Sequence, residues 1–171
     1  MTRELVRELL SACRRNSIRV ATAESCTGGL LSANITSVPG SSEVFDRGFV
    51  TYSDDAKCEL LGVRRETIAA FGAVSEITAH EMADGALERS GADIAVSITG
   101  VAGPGASEKK PEGLVCFALS RRGIETLTET IEFGFIGREQ VREKSVRHAL
   151  QLLTTGAVSS DKTTILGFQK K

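Results

Sequence analysis

Two candidate nucleophiles stand side by side at Ser25-Cys26, immediately after an apolar run that stops on Glu24 and immediately before Thr27-Gly28-Gly29. A hydroxyl and a thiol flanked by a carboxylate and a glycine pair are the materials of an acyl-transfer site. Gly28 and Gly29 let backbone N–H groups come close to a ligand. A helix starting at Leu30 would then turn its unpaired amides and positive dipole end toward an anion or a developing oxyanion. Serine still needs a base, and His80 and His148 both fall in expected helices away from the glycine loops. Tyr52 and Lys57, just beyond a second apolar strand, are the leading choices. Burial would make Lys57 a neutral amine able to take the Ser25 proton; the alternative is a solvated or ion-paired lysine on a helix. Cys26 is the stronger nucleophile if a helix N-terminus lowers its pKa, and otherwise a small buried thiol. Glu24 either orients the lysine or a ligand, or caps the next helix. Thr27 carries the same two readings.

A second glycine-rich loop, Gly100-Val101-Ala102-Gly103-Pro104-Gly105, follows another buried run. Arg138 and Arg142, one helical turn apart, could join Lys109, Lys110 and the loop amides in clamping a phosphate. The alternative is a solvated helix face laced with Glu139 and Glu143. Several other chemistries are excluded. No phosphate loop ending in Gly-Lys-Ser/Thr exists, the glycines are in the wrong order for a dinucleotide fingerprint, and there is no Gly-x-Ser-x-Gly elbow. Cys13, Cys26, Cys58 and Cys116 lack zinc-ligand spacing and read as reduced thiols, so neither metal nor cofactor is expected.

Positioning these groups requires strands that end beside one another. Leu5, Val6, Leu9, Leu10 and Cys13 form one helical face closed by Asn16-Ser17, and Ile18 to Ala23 reads as a strand. A helix over Leu30 to Ile35 follows, then a loop at Pro39 to Ser42 and a short strand over Gly48 to Tyr52. Ser53, Asp54 and Asp55 suit the cap and first turn of a helix carrying Lys57. Ser75 and Glu76 open a helix with Ala79, Met82, Ala83, Ala86 and Leu87 at helical spacing and Gly91 as its stop. Ile94 to Thr99 is a buried central strand. Gly113 to Leu119 and Ile124 to Phe133 flank the turn Ser120-Arg121-Arg122-Gly123 as a hairpin. A last helix from about Arg138 bears Val146, Ala149, Leu150 and Leu153. The expected fold is a three-layer α/β/α sandwich with a mixed, mostly parallel sheet, whose ligand site lies at strand C-terminal ends.

The chain has 171 residues, with 21 Lys plus Arg against 22 Asp plus Glu. That length suits one domain, residues 1–171, with 155–171 as a polar tail that carries the apolar Ile165, Leu166 and Phe168. The near-neutral balance leaves no electrostatic footprint for nucleic acid or an anionic membrane, so neither is expected as a partner. The N-terminus starts as a charged amphipathic pattern without a signal-peptide core, which reads as cytoplasmic.

Taken together, the segments Ala23-Glu24-Ser25-Cys26-Thr27-Gly28-Gly29, Gly48-Phe49-Val50-Thr51-Tyr52-Ser53 with Lys57 and Leu61-Gly62-Val63, Gly72-Ala73-Val74-Ser75-Glu76, and Ser97-Ile98-Thr99-Gly100-Val101-Ala102-Gly103-Pro104 with Lys110-Pro111 and Gly113 resemble the CinA C-terminal-domain family. The likeness runs in order from about Thr22 to Leu153. It implies the stand-alone form of that family, the nicotinamide-mononucleotide deamidases, which hydrolyse a mononucleotide's carboxamide without a metal in pyridine-nucleotide salvage. By that resemblance Ser25, Lys57 and Tyr52 are catalytic. Glu24, Cys26, Thr27, Gly28, Gly29, Thr99, Gly100, Gly103, Lys110, Arg138 and Arg142 form the substrate site, with oxyanion donors among the amides of 26–29 or 99–100. The resemblance and the apolar residues of the tail also imply a homodimer. Two features depart from the family pattern: the loop between Pro104 and Lys110 is a residue short, and Gly137 replaces an Asp.

Overall fold

The computed structural model describes residues 2–107 and 110–158. Its framework is a five-stranded sheet in the order β2-β1-β3-β4-β5, with β1 Val20–Glu24, β2 Phe45–Val50, β3 Ile94–Gly100, β4 Leu114–Arg121 and β5 Ile124–Glu132. β1 pairs in parallel with both β2 and β3, while the β3–β4 and β4–β5 pairings are antiparallel. The sheet is therefore mixed. Its pairings divide evenly, although every strand except β4 points the same way.

Helices cover both faces. α1 (Thr2–Asn16), α2 (Leu30–Thr36) and α6 (Arg138–Val158) pack together on one side, and α3 (Asp54–Leu61), α4 (Arg65–Phe71) and α5 (Glu76–Glu88) on the other. The alternation of strand side chains explains the unequal layers. Toward α1 and α6 the strands present Val20, Val96, Ile98, Val115, Phe117 and Leu119. Toward α5 they present Ala21, Ala23, Ala95, Cys116 and Ala118. Small residues on that face bring α5 close to the sheet.

Several boundaries differ from the sequence expectation. β1 starts at Val20 and includes Glu24. β2 starts earlier, at Phe45, and stops at Val50, because the chain leaves the sheet to enter α3. Thr51 keeps one last bond, its amide donating to the Glu24 carbonyl at 2.8 Å. α4 was not anticipated: it is seven residues long and buries only Thr67, so it has no apolar stripe to read. α5 ends at Glu88, and Gly91 lies beyond its cap. α6 continues through Gly156 to Val158, so residues 155–158 are helix and not tail. Gly156 permits this, because a Cβ there would meet Leu119 at 2.9 Å. The apolar tail residues Ile165, Leu166 and Phe168 lie outside the described residues, as does Lys109.

Candidate active site

The site is built where β1, β2 and β3 end together. β1 terminates on Glu24, which is fully buried and whose carboxylate accepts from the amides of Gly29 (3.1 Å), Leu31 (3.0 Å) and Ser32 (2.9 Å), and from Ser32 Oγ (2.7 Å). Glu24 thus caps α2 from inside the sheet, and both of its oxygens are occupied. That resolves its two readings in favour of the cap. The tight turn between β1 and α2 needs left-handed backbone at Gly28 (φ 58°) and Gly29 (φ 92°).

Ser25 opens that turn. Its amide continues the β1–β3 ladder to the Ile98 carbonyl (2.9 Å), and Lys57 Nζ donates to its hydroxyl at 3.1 Å. Lys57 sits on the first turns of α3, whose N-cap is Ser53, with Ser53 Oγ accepting from the Ala56 amide at 3.1 Å. The lysine is 1% exposed. Its nitrogen also donates to the Thr51 carbonyl at 3.1 Å, and among the described residues no carboxylate forms an ion pair with it. Burial lowers its pKa below the ordinary 10.5, opposed by the nearby charge of Asp54. Cys26 faces the opposite pressure: burial pushes its thiol up to about 12, so the neighbouring Arg138 and Arg142 do not make it a thiolate at neutral pH.

Ser25 and Lys57 face a cavity of about 250 Å³ that Cys26, Tyr52, Asp54, Ala73, Val74, Thr99, Gly100, Ala102 and Arg138 also line. A second cavity of about 370 Å³ shares Asp54, Ala73 and Val74 with the first and adds Phe71, Gly72, Ser107 and Lys110. Arg138 spans the mouth, donating to the Gly103 carbonyl (2.8 Å) and to Tyr52 Oη (3.2 Å). Tyr52 is 62% exposed and bonds Arg138 rather than Ser25 or Lys57. Thr99 lines the cavity while its hydroxyl donates to the Ala73 carbonyl at 2.7 Å, tying β3 to the loop before α5.

Not every expected residue reaches the cavity. Arg142 turns away from it and donates to the Thr27 carbonyl at 2.8 Å. Thr27 is buried, with its hydroxyl unpartnered. Gly103 holds φ 86°, against the carboxyl of Glu112. Gly28 and Gly29 shape the turn, but their amides bond the Ser25 carbonyl and Glu24 and so are withdrawn from any ligand. The amides of Cys26 and Thr27 bond no other described residue, the Cys26 amide lying against its own thiol, and they are the donors that follow Ser25 in the turn. His80 and His148 lie elsewhere, against Asp84 and Glu129. Sequence reasoning missed Asp54 as a cavity residue, because an acid in a helix's first turn is explained by the helix dipole alone. It missed Ala73 and Val74 because they contribute only backbone and small apolar surface.

Such an arrangement can acylate. An amine with no ion-pair partner among the described residues, held against a serine hydroxyl at a strand end, can serve as a general base to that hydroxyl, with the amides of the following turn nearby for an oxyanion. Among the described residues no three metal-ligating side chains cluster, and no helix is long and apolar enough to cross a membrane.

Comparison with known proteins agrees along nearly the whole chain. The family model for the CinA C-terminal domain matches residues 2–156. A CinA-like protein of Chloroherpeton thalassium is 46% identical over 157 residues, which is 88% of this chain and 37% of that protein. The chain spans only about a third of the length of several curated relatives of this kind. The nicotinamide-nucleotide amidohydrolase PncC of Escherichia coli is 48% identical over 151 residues, covering 88% of this chain and 91% of that enzyme. The crystal structure of the competence/damage inducible protein CihA from Agrobacterium tumefaciens superposes with a TM-score of 0.86 at 49% identity, covering 89% of this chain and 93% of that one.

Proposed function

The chain belongs to the CinA C-terminal-domain family, and from that premise we propose that it is an amidohydrolase that converts nicotinamide mononucleotide to nicotinate mononucleotide and ammonia. The observation that carries the reading is the 3.1 Å contact between the buried, unpaired Lys57 Nζ and Ser25 Oγ. The similarity to the Escherichia coli amidohydrolase supports the choice of substrate.

In the first step the neutral Lys57 amine takes the Ser25 proton while Oγ bonds to the amide carbon. The carbonyl π bond becomes an oxyanion, held by the amides of Cys26 and Thr27. Collapse of this intermediate breaks the C–N bond, and the Lys57 ammonium returns its proton to the departing nitrogen, releasing ammonia. Water then attacks the acyl-serine. Lys57 takes the water's proton and hands it to Ser25 Oγ as the ester bond breaks, which restores the resting pair. Tyr52 and Arg138, bonded to each other across the mouth, hold the nucleotide over Ser25. Arg138 and Lys110 supply counter-charge for its phosphate. The same reading places the protein in the cytoplasm as a homodimer serving pyridine-nucleotide salvage.

The test is ammonia release from nicotinamide mononucleotide by wild type and three folded variants. Ser25→Ala and Lys57→Ala are each expected to lose about 10³-fold or more in kcat, whereas Cys26→Ala keeps most of the rate. An inactive wild type that still binds the nucleotide would mark a sensing module instead of an enzyme.

A further inference from the structure

Asp54 is the only carboxylate among the described residues that line either cavity, and it lines both. Its neighbours in structure have other employment. Ser53 caps α3, and Asp55 pairs with Arg65 at 2.8 Å. Asp54 makes no hydrogen bond or ion pair among the described residues. The remaining charges around the two cavities, Lys57, Arg138 and Lys110, are all basic. An unpaired carboxylate placed there opposes the binding of an anionic ligand unless that ligand also carries a positive group. A nucleotide whose amide-bearing ring is a quaternary pyridinium carries one, next to the carbon that Ser25 would attack.

We propose that Asp54 is a specificity residue that selects amides borne on a cationic ring over neutral amides of the same shape. This rests on the nucleotide-amide reading above and deepens it. Asp54 is solvent-exposed at the rim shared by the two cavities, so its attraction for a ring charge held near Ser25 is partly screened and acts at short range. The same ring charge, by offsetting the field of Asp54, also favours the neutral form of Lys57, which the nearby charge of Asp54 otherwise opposes.

The experiment compares two ligands that differ in ring charge and share ribose, phosphate and carboxamide: nicotinamide mononucleotide and its reduced, neutral 1,4-dihydro form. Dissociation constants are measured on Ser25→Ala protein, so that no turnover intervenes, with and without Asp54→Asn. Asparagine nearly matches the aspartate in shape and leaves the Ser53 cap in place, so the fold is retained. The cationic ligand should bind about threefold to fivefold tighter than the neutral one when Asp54 is present, and the preference should fall to near unity in Asp54→Asn. Asp55→Asn, which removes the same charge outside the cavities, should leave the preference intact. An unchanged ratio in Asp54→Asn overturns the inference, including the case where both ligands weaken equally. An equal loss in Asp55→Asn overturns it too, by reducing the effect to net charge. If wild type also releases ammonia, only the role of Asp54 falls; if neither ligand binds and no ammonia appears, the nucleotide reading falls with it.

Discussion

Lys57 keeps its nitrogen between two neutral oxygens, Ser25 Oγ and the Thr51 carbonyl, so protonating it places a charge in the interior with no carboxylate hydrogen-bonded to it and only the field of Asp54 to offset the cost. That single fact couples activity to stability. Because burial lowers the folded-state pKa below the ordinary 10.5, the unfolded chain binds this proton more tightly than the folded one. Between the folded and the unfolded pKa the group therefore makes stability rise with pH, and below the folded pKa it exacts its full cost. The same ionisation governs the base. The kcat/KM profile for ammonia release is expected to climb with pH through one ionisation below 10.5, and that limb should vanish in Lys57→Ala. Lys57→Met should abolish turnover yet raise the melting temperature at pH 7 by a few degrees, by about 1 kcal/mol, since a buried amine that is costly to protonate is exchanged for an apolar side chain of similar length. A melting temperature that falls at pH 7 would mean that the two hydrogen bonds outweigh the desolvation of the charge. The sequence could offer Lys57 as a candidate but not as a base, because its chemistry depends on burial, and burial here comes from helices that are distant in the chain.

Among the elements, α3 holds that lysine in place through its packing on α5. The two helices meet at Gly85, where an added Cβ would stand 1.9 Å from the Leu61 carbonyl oxygen and 2.8 Å from its carbon. Backbone cannot yield as a side-chain tip can. Gly85→Ala is therefore expected to push α3 outward, costing about 2 to 3 kcal/mol of stability. Since Leu61 lies one turn beyond Lys57, kcat should also drop in the variant that remains folded. A urea midpoint that falls at constant m, together with that loss of rate, checks the prediction; a neutral midpoint would show that the helices re-pack freely. The contact also marks where sequence reading stops. Periodicity placed α5 through Ala79, Met82, Ala83, Ala86 and Leu87, all of them buried, but a glycine on that face is indistinguishable from a weak helix residue until its neighbour is known. Likewise, two arginines a turn apart on α6 read as one phosphate clamp, whereas Arg138 reaches the cavity and Arg142 the Thr27 carbonyl. Helical spacing sets the face a residue occupies, and a long side chain chooses its own end point.

At the scale of the whole molecule, the site depends on nearly every layer at once. The turn after β1 supplies Ser25 and Cys26, the start of α3 supplies Asp54 and Lys57, and the loop before α5 supplies Ala73 and Val74. The end of β3 adds Thr99 and Gly100, and α6 adds Arg138. The order of these segments was readable, because strand ends rich in glycine and polar residues punctuate otherwise apolar runs. Their convergence follows from the parallel pairing of β1 with β2 and β3, which brings all three C-terminal ends to one edge. A ligand at that edge touches several elements at once, so its binding energy should appear as stability. For nicotinate mononucleotide, the expected product, saturation at 100 times Kd adds about 2.7 kcal/mol. For a domain of this length that is a rise of about 5 to 10 °C in the melting temperature, increasing with the logarithm of ligand concentration. Calorimetry over a product titration measures it. A rise that levels off early would show that ligand also binds the unfolded chain, and a melting temperature flat into the millimolar range would mean that this edge of the sheet does not hold the nucleotide. Arg138→Ala should reduce the shift more than Arg142→Ala, because Arg138 lines the cavity while Arg142 acts only on the turn behind it.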